Sequence, residues 1–131
     1  MKARIYTEEE IKKLEKNVYV MKVQYNRTII YDPVFKLWCI MMRLSHPELS
    51  AKEIFQKGHF DIKMLNDRTP QERIRQWVIN YKKYGIKYFI PSNKEYYTLP
   101  KTIKKYKDNN YNRDAFFESV INLLENYEKN R

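Results

Sequence analysis

One cysteine in 131 residues, Cys39, excludes an internal disulfide and a thiolate metal cage. It falls between Trp38 and the apolar pair Ile40 and Met41, where a reduced, cytoplasmic thiol is the natural reading. The two glycines, Gly58 and Gly85, are too few for a glycine-rich phosphate loop, and no nucleophile elbow is present. No apolar run approaches the roughly 20 residues that a membrane span needs, and the opening MKARIYTEEE has no signal-peptide core. His46 and His59 share no ligand spacing with Cys39 or with a carboxylate pair. These absences predict a non-enzymatic protein without metal or cofactor, located in the cytoplasm.

What the chain does have is positive charge, and it is unevenly placed. The net charge is +10. Residues 1–66 hold 12 basic and 8 acidic side chains, residues 67–107 hold 11 and 3, and residues 108–131 hold 3 and 5. A band of that sign attracts a polyanion, because neutralised phosphates release their condensed counterions. A solvated basic surface and adhesion to anionic lipid are the alternatives that charge by itself leaves open.

Apolar spacing supplies the organisation. Thr7 and Glu10 have capping-box spacing and open a helix over about residues 8–16. The β-branched and aromatic runs Val18–Val23 and Thr28–Tyr31 predict a small hairpin that turns at Asn26. Asp32-Pro33 caps and starts a core helix over 34–44, and Ser50 with Glu53 starts a second over 51–57. Gly58 stands where a helix end favours a left-handed residue. Residues 61–65 predict one more helical turn, and Asn66-Asp67-Arg68-Thr69-Pro70 leads into a third helix capped by Asp67 or Thr69 and ended by Gly85.

In that third helix Ile74, Trp77, Val78 and Tyr81 recur at helical spacing and form one inward stripe. Arg73, Arg75, Gln76, Asn80 and Lys83 point away from it, and Arg68, Thr69, Gln71, Lys82 and Lys87 flank them. Such side chains hydrogen-bond base edges and phosphates when a helix lies in the major groove. The expected fold is mainly α, a helix-turn-helix core over residues 1–85 preceded by a hairpin. The expected partner is double-stranded DNA.

The runs YTEEEIKKLEKNVYV, YDPVFK, SAKEIFQKGHFDIKML and ERIRQWVINYKKYG, in this order, resemble small bacterial helix-turn-helix proteins related to the DNA-binding first subunit of two-frame insertion-sequence transposases. The resemblance covers about Tyr6 to Gly85, with Trp77 at that family's usual tryptophan. It implies DNA binding through the helix containing Trp77, with strand-transfer chemistry on a separate subunit, in a mobile element or a regulator.

Residues 86–131 form an extension. Ile86–Ile90 and Glu95–Leu99, separated by Pro91-Ser92-Asn93-Lys94, predict either a wing-like hairpin or an irregular aromatic arm over the core. Lys101, Lys104, Lys105 and Lys107 around Tyr106 form a basic linker, either tracking phosphates or simply solvated. From Arg113 to Glu128 an amphipathic helix carries Phe116, Phe117, Val120, Ile121, Leu123, Leu124 and Tyr127. It must pack on the body or pair with a second copy, and a homodimer would suit a reader of paired half-sites. The alternative function is a phage or plasmid interaction module that holds a host protein through the aromatic extension, an idea the 12 tyrosines favour.

Overall fold

Three side-chain caps set the helices of the first half, as expected from the sequence. The computed structural model describes residues 4–90 and 100–130. Helix α1, Glu8–Lys16, begins with Thr7 and Glu10 in a reciprocal capping box. Asp32 caps helix α2, Pro33–Ser45, by accepting from the Val34 amide at 2.9 Å, and Pro33 occupies the first turn. Ser50 and Glu53 form a second capping box at the start of helix α3, Ala51–Lys57. A 3₁₀ turn, Ile62–Met64, leads to helix α4, Thr69–Tyr84. No side chain caps α4: its N-cap is Arg68, so neither Asp67 nor Thr69 has the expected role.

Strands β1, Val20–Gln24, and β2, Thr28–Tyr31, form one antiparallel hairpin between α1 and α2. Its strand starts later than the Val18 expected, because Asn17 folds the chain back, accepting from the Tyr19 amide and donating to the Gly58 carbonyl. Tyr25 and Asn26 at the turn have φ of 53° and 58°, and the Arg27 amide donates to the Gln24 carbonyl. Two consecutive positive φ values are the signature of a type I′ hairpin turn, whose twist matches that of the strands.

Phe35 organises the core. Its ring lies 5.0–6.1 Å, centroid to centroid, from Tyr19, Tyr31, Trp38, Phe55, Phe60 and Trp77. Those contacts join the hairpin, α2, α3 and α4, so the three helices share one interior with the sheet. Residues 58–68 separate α3 from α4, a longer connection than the roughly three or four residues of a helix-turn-helix turn.

Gly58 is required for space rather than for a left-handed backbone. Its φ is −85°, and the left-handed residue is the next one, His59, at 68°. A Cβ on Gly58 would lie 2.6 Å from Phe35 Cε1, in the middle of the ring cluster. Gly58→Ala is therefore expected to lower stability by about 1–3 kcal/mol through overpacking, read as a shift of the urea midpoint. An unchanged midpoint would show that the ring cluster can move. Gly85, in contrast, does adopt a positive φ, 80°, at the end of α4.

The segment after Gly85 departs from the strand of a wing and agrees with the other expectation, an arm packed on the core. Ile86–Phe89 is a 3₁₀ turn, not a strand, and it buries Phe89 in the core. The turn packs against α2 and α4. The partner strand expected at Glu95–Leu99 lies outside the described residues. The basic linker is helical: helix α5 spans Pro100–Asp108. Lys105 points inward, its ammonium donating to the carbonyls of Glu15 and Asn17, each at 2.9 Å, and of Val20. It thereby closes the C-terminal end of α1, where unsatisfied carbonyls favour a cation.

Helix α6, Arg113–Lys129, lies along α2 and buries Val120 and Leu124. At its start Arg113 meets Asp32 through two bonds, Nε to Oδ2 at 2.7 Å and Nη2 to Oδ1 at 2.8 Å. Asp32 is fully buried, so one carboxylate both caps α2 and anchors α6. Leu123 remains exposed, and a second copy would have to use that face.

Candidate nucleic-acid interface

Helix α4 places the predicted site residues. Pro70, Ile74, Trp77 and Tyr81 are buried, which turns the rest of the circumference to solvent. Gln71, Arg75 and Lys82 occupy one flank and line a shallow groove with Arg43 of α2 and Ala51 of α3. Thr69 and Arg73 occupy the other flank, facing the hairpin. Gln76 and Asn80, one helical turn apart, have side chains 3.4 Å from each other. Arg68 precedes the helix, Lys83 sits near its end with Nζ 5.3 Å over the Tyr84 ring, and Lys87 follows on the 3₁₀ turn; all three are exposed. The predicted residues thus share one helix and its exits but divide between two flanks. Glu72 and the exposed Ile79 lie on the outward side as well.

The charge on this helix is uncompensated. Ion pairs among the described residues are Arg4 with Glu10, His46 with Glu48, Lys52 with Asp67, and Arg113 with Asp32. None uses a cation of α4, so Arg73, Arg75, Lys82 and Lys83 present their charge to solvent with only Glu72 of opposite sign on the helix. Lys36 of α2 adds a further cation behind them, its Nζ 5.9 Å from the Trp77 ring. Burial, reinforced by the charge of Arg73, pulls the Lys36 pKa below the usual lysine range.

Several residues of this surface were not legible in the sequence. Arg4 and Arg27 reach the same cleft as Arg73, together with Tyr6, Tyr31 and Asn66. Arg43 holds the loop before α3 by donating to the Leu49 carbonyl at 2.8 Å. No local pattern marks Arg4 or Arg27, because their neighbourhood is created by the hairpin folding back; the Tyr6 amide donates to the Asn26 carbonyl at 2.8 Å.

The aromatic residues divide by location. Tyr6, Tyr31 and Tyr81 are buried, and Tyr19 and Tyr111 pack in the ring cluster beneath α6. Tyr25, Tyr84 and Tyr88 are exposed, the last two stacked with ring centroids 5.1 Å apart. Cys39 is fully buried and its thiol is pushed far up by desolvation, which leaves it inert as a nucleophile. No group of three or more metal-binding side chains comes together among the described residues, and no helix among them is long and apolar enough to cross a membrane. No known protein family, curated protein or solved structure matches this chain.

Proposed function

We propose that this chain binds duplex DNA with α4, as a non-enzymatic DNA-binding protein of a mobile element or as a transcriptional regulator. The uncompensated cations of α4 carry the reading. A helix whose inner face is fixed by Ile74, Trp77 and Tyr81 presents Arg75, Gln76, Asn80 and Lys83 rigidly, which is what base-edge and phosphate contacts require. Lys82 adds to the positive surface along the helix, and Arg68 and Lys87 extend it beyond the helix ends. The long connection between α3 and α4 changes how the reading helix is held, not what it presents. The mobile-element setting comes from the resemblance of Tyr6 to Gly85 described above.

The test is the salt dependence of duplex binding. With about six phosphates neutralised, the log–log slope is expected near −5, and affinity should fall roughly a thousandfold between about 50 and 200 mM salt. Fluorescence anisotropy on a labelled duplex measures this directly. Weak binding with a flat salt response, or none at low salt, rejects the reading. Selection from a random duplex pool would then give the preferred sequence.

A second reading, a module that docks a host protein, draws on the exposed Tyr84–Tyr88 stack next to the extension. Its support from tyrosine content is smaller than the composition suggested, since several of the rings build the core. Loss of a protein partner on Tyr88→Ala, with duplex affinity unchanged, would favour it.

A further inference from the structure

We propose that the cleft between the hairpin and the first turn of α4 is a phosphate-binding site, in which Arg27 and Arg73 hold a backbone phosphodiester of the DNA that α4 reads. The source of the phosphate rests on the duplex-binding reading; the site itself rests on the cleft.

Three guanidinium groups from distant parts of the chain, Arg4, Arg27 and Arg73, line this one cavity with Asn66, Thr69 and Tyr31. Arg4 is already engaged, donating to the Lys63 carbonyl at 2.8 Å and pairing with Glu10 at 2.9 Å. The guanidinium groups of Arg27 and Arg73 have no hydrogen bond or ion pair among the described residues. Tyr6 and Tyr31 are 7% and 4% exposed, and neither hydroxyl has a hydrogen-bond partner there. Both hydroxyls can donate, and with the two guanidiniums they form a set of donors lining one cleft. Burial raises both phenol pKa values, which keeps these groups protonated as donors at neutral pH.

Every polar side chain in the cleft can donate. A ligand that only accepts, with oxygens pointing several ways, is the complement, and a phosphate is such a ligand. The cleft is small, about 130 Å³, and opens to solvent, which gives room for a tetrahedral oxyanion while its sugars and bases lie toward the exposed side of α4. Arg73 stands on the flank of α4 that faces the hairpin, so a strand running along the helix could seat one phosphate there.

The test uses the full chain in two arms. Thermal unfolding is followed while inorganic phosphate is added, against sodium chloride at matched ionic strength. A saturable rise in Tm beyond that with chloride is expected, lost in Arg27→Ala and Arg73→Ala and kept in Lys12→Ala, which removes an exposed cation elsewhere. Tyr31→Phe, which keeps the ring and removes the hydroxyl, should reduce it, and this variant decides if an arginine variant does not fold. In the second arm each arginine variant should lower the salt slope of duplex binding by about one. If phosphate binding depends on both arginines while the duplex slope does not, the site stands as one for a free phosphate and its link to DNA falls. No effect of phosphate beyond chloride, or an equal effect without Arg27 and Arg73, overturns the proposal.

Discussion

Asp32→Ala should come close to unfolding the protein. The carboxylate is fully buried, accepts from the Val34 amide as the cap of α2, and meets the Arg113 guanidinium at 2.7 and 2.8 Å. Removing it takes the paired carboxylate away from an Arg113 side chain that is only 10% exposed. Breaking a buried pair from one side costs about 3–5 kcal/mol, and a lost cap adds about 1. That approaches the whole stability of an ordinary domain, roughly 5–15 kcal/mol. Asp32→Asn combined with Arg113→Met removes both charges while keeping a capping side chain, and it should be less damaging than Asp32→Ala. Urea midpoints of the variants measure the difference. If Asp32→Ala unfolds at the native midpoint, the anchoring of α6 through this pair is wrong.

Trp77→Ala and Arg75→Ala should separate folding from binding within one helix. Trp77 is 6% exposed, and its ring sits 5.3, 6.1 and 6.2 Å from those of Tyr31, Phe35 and Phe55. Truncation opens a cavity where the sheet and three helices meet, at a cost of about 3–5 kcal/mol. Arg75 two residues earlier is exposed and unpaired, so its loss should leave the melting curve nearly unchanged and weaken duplex binding. An Arg75→Ala protein that melts early, or that binds DNA with native affinity while folded, would mean that the outward side of α4 has another use.

The parts of the fold that were legible in the sequence are those written in local pattern. Capping boxes at Thr7 and Ser50 and the Asp32-Pro33 start mark helices because their hydrogen bonds span only two or three residues. The stripe of Ile74, Trp77 and Tyr81 marks an inner face because helical periodicity is local too. Gly58 shows where such reasoning stops. Its position after α3 suggests a left-handed cap, yet the reason for glycine is a ring contributed by Phe35, 23 positions earlier in the chain. Ile86–Ile90 shows the same limit: a β-branched and aromatic run favours a strand, but burial of Phe89 against α2 and α4 prevails.

Charge separates the two levels most clearly. From the sequence alone come the positive balance, its concentration over residues 67–107, and the outward position of Arg75, Gln76 and Lys83 on a helix. Only the tertiary structure assigns each charge its task. Lys105, in the middle of a basic run, turns inward onto carbonyls 85 to 90 positions away, and Arg113 closes on Asp32 across 81. Arg4, Arg27 and Arg73 become neighbours because the hairpin returns the chain to the start of α4. Helical period and capping act over a few residues, so they can be read in order along the chain. Electrostatic partnership depends on distance in space, which the packing around Phe35 sets.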